Sequence, residues 1–385
     1  MNRKLCLLLA VSGAAAMVSA CSRHHAYDAS GVIGGQSVAT TVDSKIARDY
    51  LKQAAAPSTL GRELRELISK ADREPLSVPV LQRLSNRASV DLAALYFVHR
   101  VYRDPRSQAA QDAFHACLRA LRGAARKPHE LSQGLRSHLI AFVPGYAYRL
   151  DRTTGADFGR QRALLRSIGF QTALIETDEL GTVESNARVI AQQIREWGGE
   201  HKTVLLVSAS KGGPEAATAL GDLLRPSEVK HVSAWLSIGG ILRGSPYADR
   251  FMTWPKSWVG RTVFYFQGLD GDVISNLSTR VRRPLFARLR FPDHLLRLQY
   301  VGVPLSGQVS SSVRGRYEAL KSLGPNDGLT LVVDELVPNG IVITDLGLDH
   351  YYRDPEIDLK TLALALVVLE LTASPQEGAA EDHGF

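Results

Sequence analysis

The sequence predicts an α/β protein, in which a mostly parallel sheet is covered by helices on both faces and preceded by a helical region. Two observations carry this. From residue 136 onward, short continuous apolar runs of strand length alternate with amphipathic helical segments, as strands buried on both faces do. From about 44 to 135, apolar residues recur at helical spacing instead, and no strand pattern appears.

The chain of 385 residues opens on a targeting segment. Asn2-Arg3-Lys4 is a cationic start, and Leu5 to Val18 is an apolar run too short for an ordinary membrane span, which fits an export signal. The segment closes on Val18-Ser19-Ala20-Cys21, which resembles the lipobox of bacterial lipoproteins. That resemblance implies cleavage after residue 20, lipidation of Cys21 and a place in the cell envelope. With Ser22 and not Asp after the cysteine, it implies outer-membrane sorting in a Gram-negative host. A general secretory signal with an incidental Cys21 is the plainer alternative.

Residues 21–43 are small and polar, with Gly31, Gly34 and Gly35, and are expected to form a flexible tether spanning about 25 Å. In the helical region of 44–135, Leu60, Leu64, Leu67 and Ile68 share one face, as do Leu92, Leu95, Tyr96 and His99 on the next element. Pro57, Pro75 and Pro105 punctuate these helices. His99 and His115 are expected as helix-face residues. Cys117 lies in an Ala110-Phe114-Cys117-Leu118-Leu121 stripe and reads as a small core hydrophobe. Of three cysteines, Cys6 leaves with the signal and Cys21 would carry lipid, so no disulfide framework is possible.

The α/β region is expected to span 136–373. Leu139 to Val143 is a strand ending at Pro144-Gly145, followed by a helix near 156–168 and a strand at Thr172 to Ile175. A helix at 183–197 stops at Gly198-Gly199. Then come a strand at Thr203 to Val207, a helix from about 212 to 224 and strands at His231 to Ile238, Val263 to Phe266 and Leu298 to Val303. Leu359 to Leu371 is a closing core helix, too short to span a membrane. The tail of 374–385 is polar. The net charge of +7 includes Arg3 and Lys4, and the rest of the excess is spread over isolated arginines. It reads as a solvated basic surface and gives no evidence for nucleic-acid binding.

One constellation carries chemistry. The strand at 203–207 runs into Ser208-Ala209-Ser210-Lys211-Gly212-Gly213 and then a helix. A serine held in a strained strand-to-helix turn needs small neighbours on both sides, which this pattern supplies. A structural turn or a phosphate-holding loop would use similar residues. Upstream, Pro144-Gly145-Tyr146 ends a neighbouring strand. Downstream, Asp327 lies in Pro325-Asn326-Asp327-Gly328, and His350 is the one of eleven histidines expected in a loop at the late edge of the sheet.

Residues 137–372 resemble the α/β-hydrolase superfamily, with bacterial triacylglycerol lipases and related esterases nearest. The resemblance rests on Val143-Pro144-Gly145-Tyr146, on the segment from Ser208 to Gly213, on Gly244-Ser245-Pro246 with Ala248-Asp249, on Asn326-Asp327-Gly328 and on His350. Two positions depart from the pattern: Pro144 stands where the family usually has His, and Ser208 where it has Gly. The resemblance implies a serine hydrolase of carboxylic esters, with Ser210 as nucleophile, His350 as base and Asp327 as its orienter. The backbone amides of Tyr146 and Lys211 would form the oxyanion hole, and the Lys211 side chain is expected to be exposed. Asp270 and Asp272 are alternative acids; Asp345 and Asp349 lie too near His350 in sequence to be obvious ones. Phe251, Trp254 and Trp258 are expected to line an acyl pocket or lid, or else to pack a loop onto the core, and the expected substrate is a lipid or other acyl ester. No metal-ligand spacing and no dinucleotide fingerprint is present, so no cofactor is expected. An inactive hydrolase fold that binds an envelope partner is the reading from another functional class.

Overall fold

The computed structural model describes residues 26–53, 61–123, 138–200, 203–253 and 271–373. Where composition predicts a tether, the chain forms an antiparallel hairpin, β1 (Tyr27–Ile33) and β2 (Gln36–Val42). The cause of this correction is local. Gly34 and Gly35 hold φ of 57° and 71°, as a two-residue turn matched to strand twist requires, and Ile33 pairs with Gln36 across it. Ala29, Ile33, Val38 and Val42 are buried, so a period of two runs beneath the small polar composition.

Among the described residues, five helices follow: α1 (Lys45–Gln53), α2 (Arg62–Asp72), α3 (Val78–Arg87), α4 (Val90–Tyr102) and α5 (Pro105–Arg122). Ser89 caps α4 by accepting the Leu92 amide, and Asp104 caps α5 by accepting the Ser107 amide. His99 and His115 bond to Tyr50 and Gln111 at 2.8 and 3.0 Å. Burial lowers both imidazole pKa values. Cys117 is half-buried against the core, and burial lifts its thiol pKa to about 11.

The sheet contains β3 (His138–Val143), β4 (Gln171–Leu174), β5 (Thr203–Ala209), β6 (Val232–Ile238), β7 (Leu296–Val303) and β8 (Ile341–Leu346). Their spatial order is β4-β3-β5-β6-β7-β8, and every neighbouring pair is parallel. Strand order reverses direction at β3 and β5, and such a switch point opens a crevice beyond the C-terminal strand ends. The strand expected at 263–266 and the tail lie outside the described residues.

Further helices among the described residues include α6 (Gly159–Ser167), α7 (Val183–Gly199), α8 (Gly212–Thr218), α9 (Pro246–Thr253), α10 (Gly271–Asn276), α11 (Thr279–Phe286), α12 (Ser311–Leu320) and α13 (Ile357–Ala373). On one face of the sheet, α7 and α8 bury Ile190, Ile194 and Ala216 against Leu206 and Trp235. On the other, α5 and α13 bury Phe114, Leu362 and Leu366 against Leu205, Leu236 and Tyr300. Among the described residues no helix is long and apolar enough to cross a membrane.

The helices before the sheet share its core. Leu92, Leu95 and Val98 of α4 form one cluster with Val301 and Val303 of β7, Val342 of β8 and the hairpin. The carboxylate of Asp91 accepts the amides of Asp43 at 2.7 Å and Ser306 at 2.8 Å, tying α4 to the hairpin's exit and to the loop after β7. Burial raises its pKa to about 7. At the free side of β8, alternate amides are each taken by a side chain from this region. Val342 donates to Ser107 at 3.1 Å, Thr344 to Gln111 at 2.8 Å and Leu346 to Gln36 at 2.9 Å.

Candidate active site

The switch-point strands deliver two of the parts. Ser210 follows the C-terminal end of β5 with φ of 51°, a left-handed conformation that costs a non-glycine residue about 1–3 kcal/mol and holds its side chain clear of the sheet. Two glycines allow the turn to sit this close to its neighbours. A Cβ on Gly212 would lie 2.5 Å from the Pro144 carbonyl oxygen, and one on Gly213 would lie 2.8 Å from the Gly240 Cα. The small flanks read from sequence therefore have a steric reason. Ser208 is fully buried, and its hydroxyl accepts the Trp235 indole N–H at 2.9 Å. A side chain is accommodated there because it has a partner.

His350 lies just beyond β8, and its amide donates to the Asp327 carbonyl at 2.9 Å. The Ser210 hydroxyl is 2.9 Å from His350 Nε2, and His350 Nδ1 is 2.6 Å from Asp327 Oδ2. The other Asp327 oxygen accepts the amides of Leu329 and Thr330, each at 2.8 Å. Asn326 closes the turn by accepting the Gly328 amide at 3.0 Å, with Gly328 at φ of 93°. Ser245 donates to the Leu329 carbonyl at 2.5 Å and Thr330 donates to the Gly244 carbonyl at 2.8 Å, so the Gly244-Ser245 segment buttresses the Asp327 turn. Both His350 and Asp327 are nearly withdrawn from solvent. A hydroxyl, an imidazole and a carboxylate thus stand in one hydrogen-bonded line, the arrangement that lets a serine oxygen lose its proton as it attacks.

The other carboxylates are committed elsewhere. Asp345 is ion-paired with Lys360 at 2.5 Å, and Asp349 accepts the amides of Ser310 and Tyr351, each at 3.1 Å. Asp249 accepts the Thr279 amide at 2.9 Å. Asp270 and the side chain of Asp272 lie outside the described residues, as do Trp254, Trp258 and the side chain of Phe251, although the backbone of Phe251 belongs to α9.

The Lys211 side chain corrects the sequence expectation. It is 2% exposed and pairs with Glu215 at 2.5 Å. Glu215 also accepts from Asn186 at 2.7 Å, and burial outweighs these partners to raise its pKa to about 7. The pair locks the first turn of α8 to α7 directly behind the elbow. Glu215 stands four residues after Lys211, a spacing at which helical side chains meet, and that was the available signal.

A cavity of about 1080 Å³ opens over Ser210 and His350. Its apolar wall includes Ile238, Ile241, Val273, Ile274, Leu277 and Leu329, and Tyr146 and Lys211 border it beside the serine. Among the described residues no cluster of His, Cys, Asp or Glu could hold a metal ion.

The fold is that of the α/β-hydrolases. Its six-stranded parallel order, flanked helices and elbow at the switch point are the observations that decide it. No family model and no curated protein sequence matches the chain. Solved structures similar to it include esterases and lipases. A metagenomic carboxyl esterase is 19% identical over 62% of this chain and 75% of its own, with a TM-score of 0.47. A mature lipase of Bacillus licheniformis is 20% identical over 62% of this chain and 92% of its own, with a TM-score of 0.49. A phospholipase of Legionella pneumophila is 18% identical over 52% of this chain and 45% of its own, with a TM-score of 0.38.

Proposed function

We propose that this α/β-hydrolase-fold protein is a serine esterase that cleaves carboxylic esters through an acyl-enzyme. The observation that carries this is the line from Ser210 through His350 to Asp327 at the wall of an apolar cavity. In the first half-reaction, the Ser210 oxygen adds to the ester carbonyl as His350 Nε2 takes its proton. The carbonyl–alkoxide bond breaks, and the departing oxygen takes that proton back from His350. In the second, His350 draws a proton from water, the hydroxide oxygen attacks the acyl carbonyl, and Ser210 recovers its proton as the acid leaves. Asp327 holds the imidazole with Nδ1 protonated throughout. The amides of Tyr146 and Lys211 would bind the oxyanion; Lys211 opens α8, where the first N–H groups have no intrahelical acceptor, and each such donor is worth about 3–4 kcal/mol in the transition state. The apolar wall fits an acyl chain.

A fluorophosphonate probe and p-nitrophenyl butyrate test the reading. Wild type should be labelled and active, Ser210→Ala should be neither, and Ser208→Ala should keep its label because that hydroxyl is buried. Equal labelling of Ser210→Ala and wild type would remove Ser210 from its role. Anchoring of the enzyme to an envelope membrane through lipidated Cys21 belongs to the same proposal and rests on the lipobox resemblance. Mass spectrometry of the mature N-terminal peptide should find Cys21 first and carrying acyl chains; an unmodified terminus elsewhere rejects it.

A further inference from the structure

Beside His350 the cavity changes character. Tyr351 stands next in the chain, its ring 6.4 Å from the imidazole and edge-on to it. Two guanidinium groups lie over that ring from different elements: Arg316 of α12 at 5.4 Å and Arg353 at 4.8 Å from its centroid. Both converge on Ser312. Arg316 donates to its carbonyl at 3.2 Å and to the Tyr351 hydroxyl at 3.1 Å, and Arg353 donates to the Ser312 hydroxyl at 3.2 Å. Tyr351, Arg316 and Arg353 line the cavity.

The lack of a directly paired countercharge is informative. Among the described residues neither guanidinium has a carboxylate partner within ion-pair distance. Asp354, the next residue, is spent on Lys360 at 2.5 Å, and Arg160 on the same rim is paired with Asp358 at 2.8 Å. Asp157 accepts the Gly159 amide at 3.0 Å, and Asp151 accepts the Thr153 amide at 3.0 Å; Arg353 acts on the Asp151 carboxylate only from a distance, with no ion-pair contact. Two like charges are therefore gathered on one aromatic ring with neutral groups as their direct acceptors. Most of their N–H groups remain unused, in a geometry suited to the several oxygens of a phosphate.

The side of the substrate follows from the chemistry. His350 returns its proton to the leaving oxygen, so the alcohol half of an ester lies against His350 and hence against Tyr351. We propose that the substrate is an acyl ester of a phosphorylated alcohol, with Arg316 and Arg353 gripping the phosphate. This rests on the esterase reading and names its substrate class.

The experiment is a ratio of kcat/KM values for two matched esters, butanoyl glycerol 3-phosphate and butanoyl glycerol. Wild type should prefer the phosphorylated ester, and Arg316→Gln with Arg353→Gln should lower the ratio roughly 10- to 100-fold, chiefly through KM. Arg316→Lys with Arg353→Lys should restore part of it, because charge returns without the planar fork. The ratio is internal, so a variant that also disturbs His350 still reports. If the double variant is too slow on both esters, Arg353→Gln alone reads the same quantity. A wild-type ratio near one, or a ratio unmoved by the substitutions, overturns the proposal while leaving the esterase reading intact. Failure of wild type to cleave either ester or to take the fluorophosphonate label overturns both. Repeating the pair with decanoyl chains separates the sources: preference kept with the long chain marks a lipid, and preference with butanoyl alone marks a soluble phosphorylated ester.

Discussion

Glu335 is 1% exposed, and neither of its carboxyl oxygens has a hydrogen-bond partner. Burial raises its pKa well above the ordinary 4.5, and the charges of Asp327 and Asp334 push it the same way. Tyr352 lies within its electrostatic reach too. Burial thus favours the neutral form of Glu335. It also has a measurable signature. Between pH 4.5 and the folded pKa, the native protein keeps a proton that the unfolded chain has lost, so stability falls as pH rises. The slope is at most about 1.4 kcal/mol per pH unit from this one group. Glu335→Gln keeps the shape and removes the titration. Its melting temperature relative to wild type should therefore climb steadily from pH 4 to pH 8; a difference that stays flat over that range would mean the carboxyl is ionised in the native state. No local pattern marks Glu335 in the sequence, because what distinguishes it is the lack of partners in space. Ser210, Asp327 and His350 were legible for the opposite reason: the first two sit in turns whose small or φ-permissive neighbours are adjacent in the chain, and His350 follows the last strand. Arg316 and Arg353 look like any other surface arginines until Tyr351 brings them together.

At the level of elements, legibility followed the source of each segment's stabilisation. The strands β3, β5, β6 and β7 are buried on both faces and read as continuous apolar runs. The strand β8 did not stand out, since Thr344 and Asp345 interrupt its run. Their polar groups are answered from far away: Gln36 donates to the Thr344 hydroxyl at 2.9 Å, and Lys360 pairs with Asp345. The hairpin was hidden by composition, although Gly34-Gly35 between alternating residues is itself a hairpin signal. Lys211 was misjudged for the reason that charged side chains are rarely buried, a rule that lapses when a partner is buried with them.

Over the whole molecule, the region before residue 136 shares core clusters with the α/β-hydrolase fold that follows. A fragment beginning at residue 136 would lose the α4 side of one core cluster, the α5 cover of the other and the acceptors for Val342, Thr344 and Leu346. Losing that cover would expose the buried apolar side chains of β7, β8 and α13 that pack against it, at about 25 cal/mol for each Å² returned to water. The fragment should show no cooperative thermal transition by circular dichroism and no hydrolysis of p-nitrophenyl butyrate; a sharp melt with retained activity would make the two parts independent. The closed side of β8 matters beyond one molecule as well. An edge strand with open amides is a template on which a neighbouring chain can add its own strand, the first step of aggregation. Here the residues that close the template are synthesised 233 to 310 positions ahead of the amides they accept. The last strand of the sheet thus meets its acceptors already made, and the interval in which another molecule could claim that edge is short.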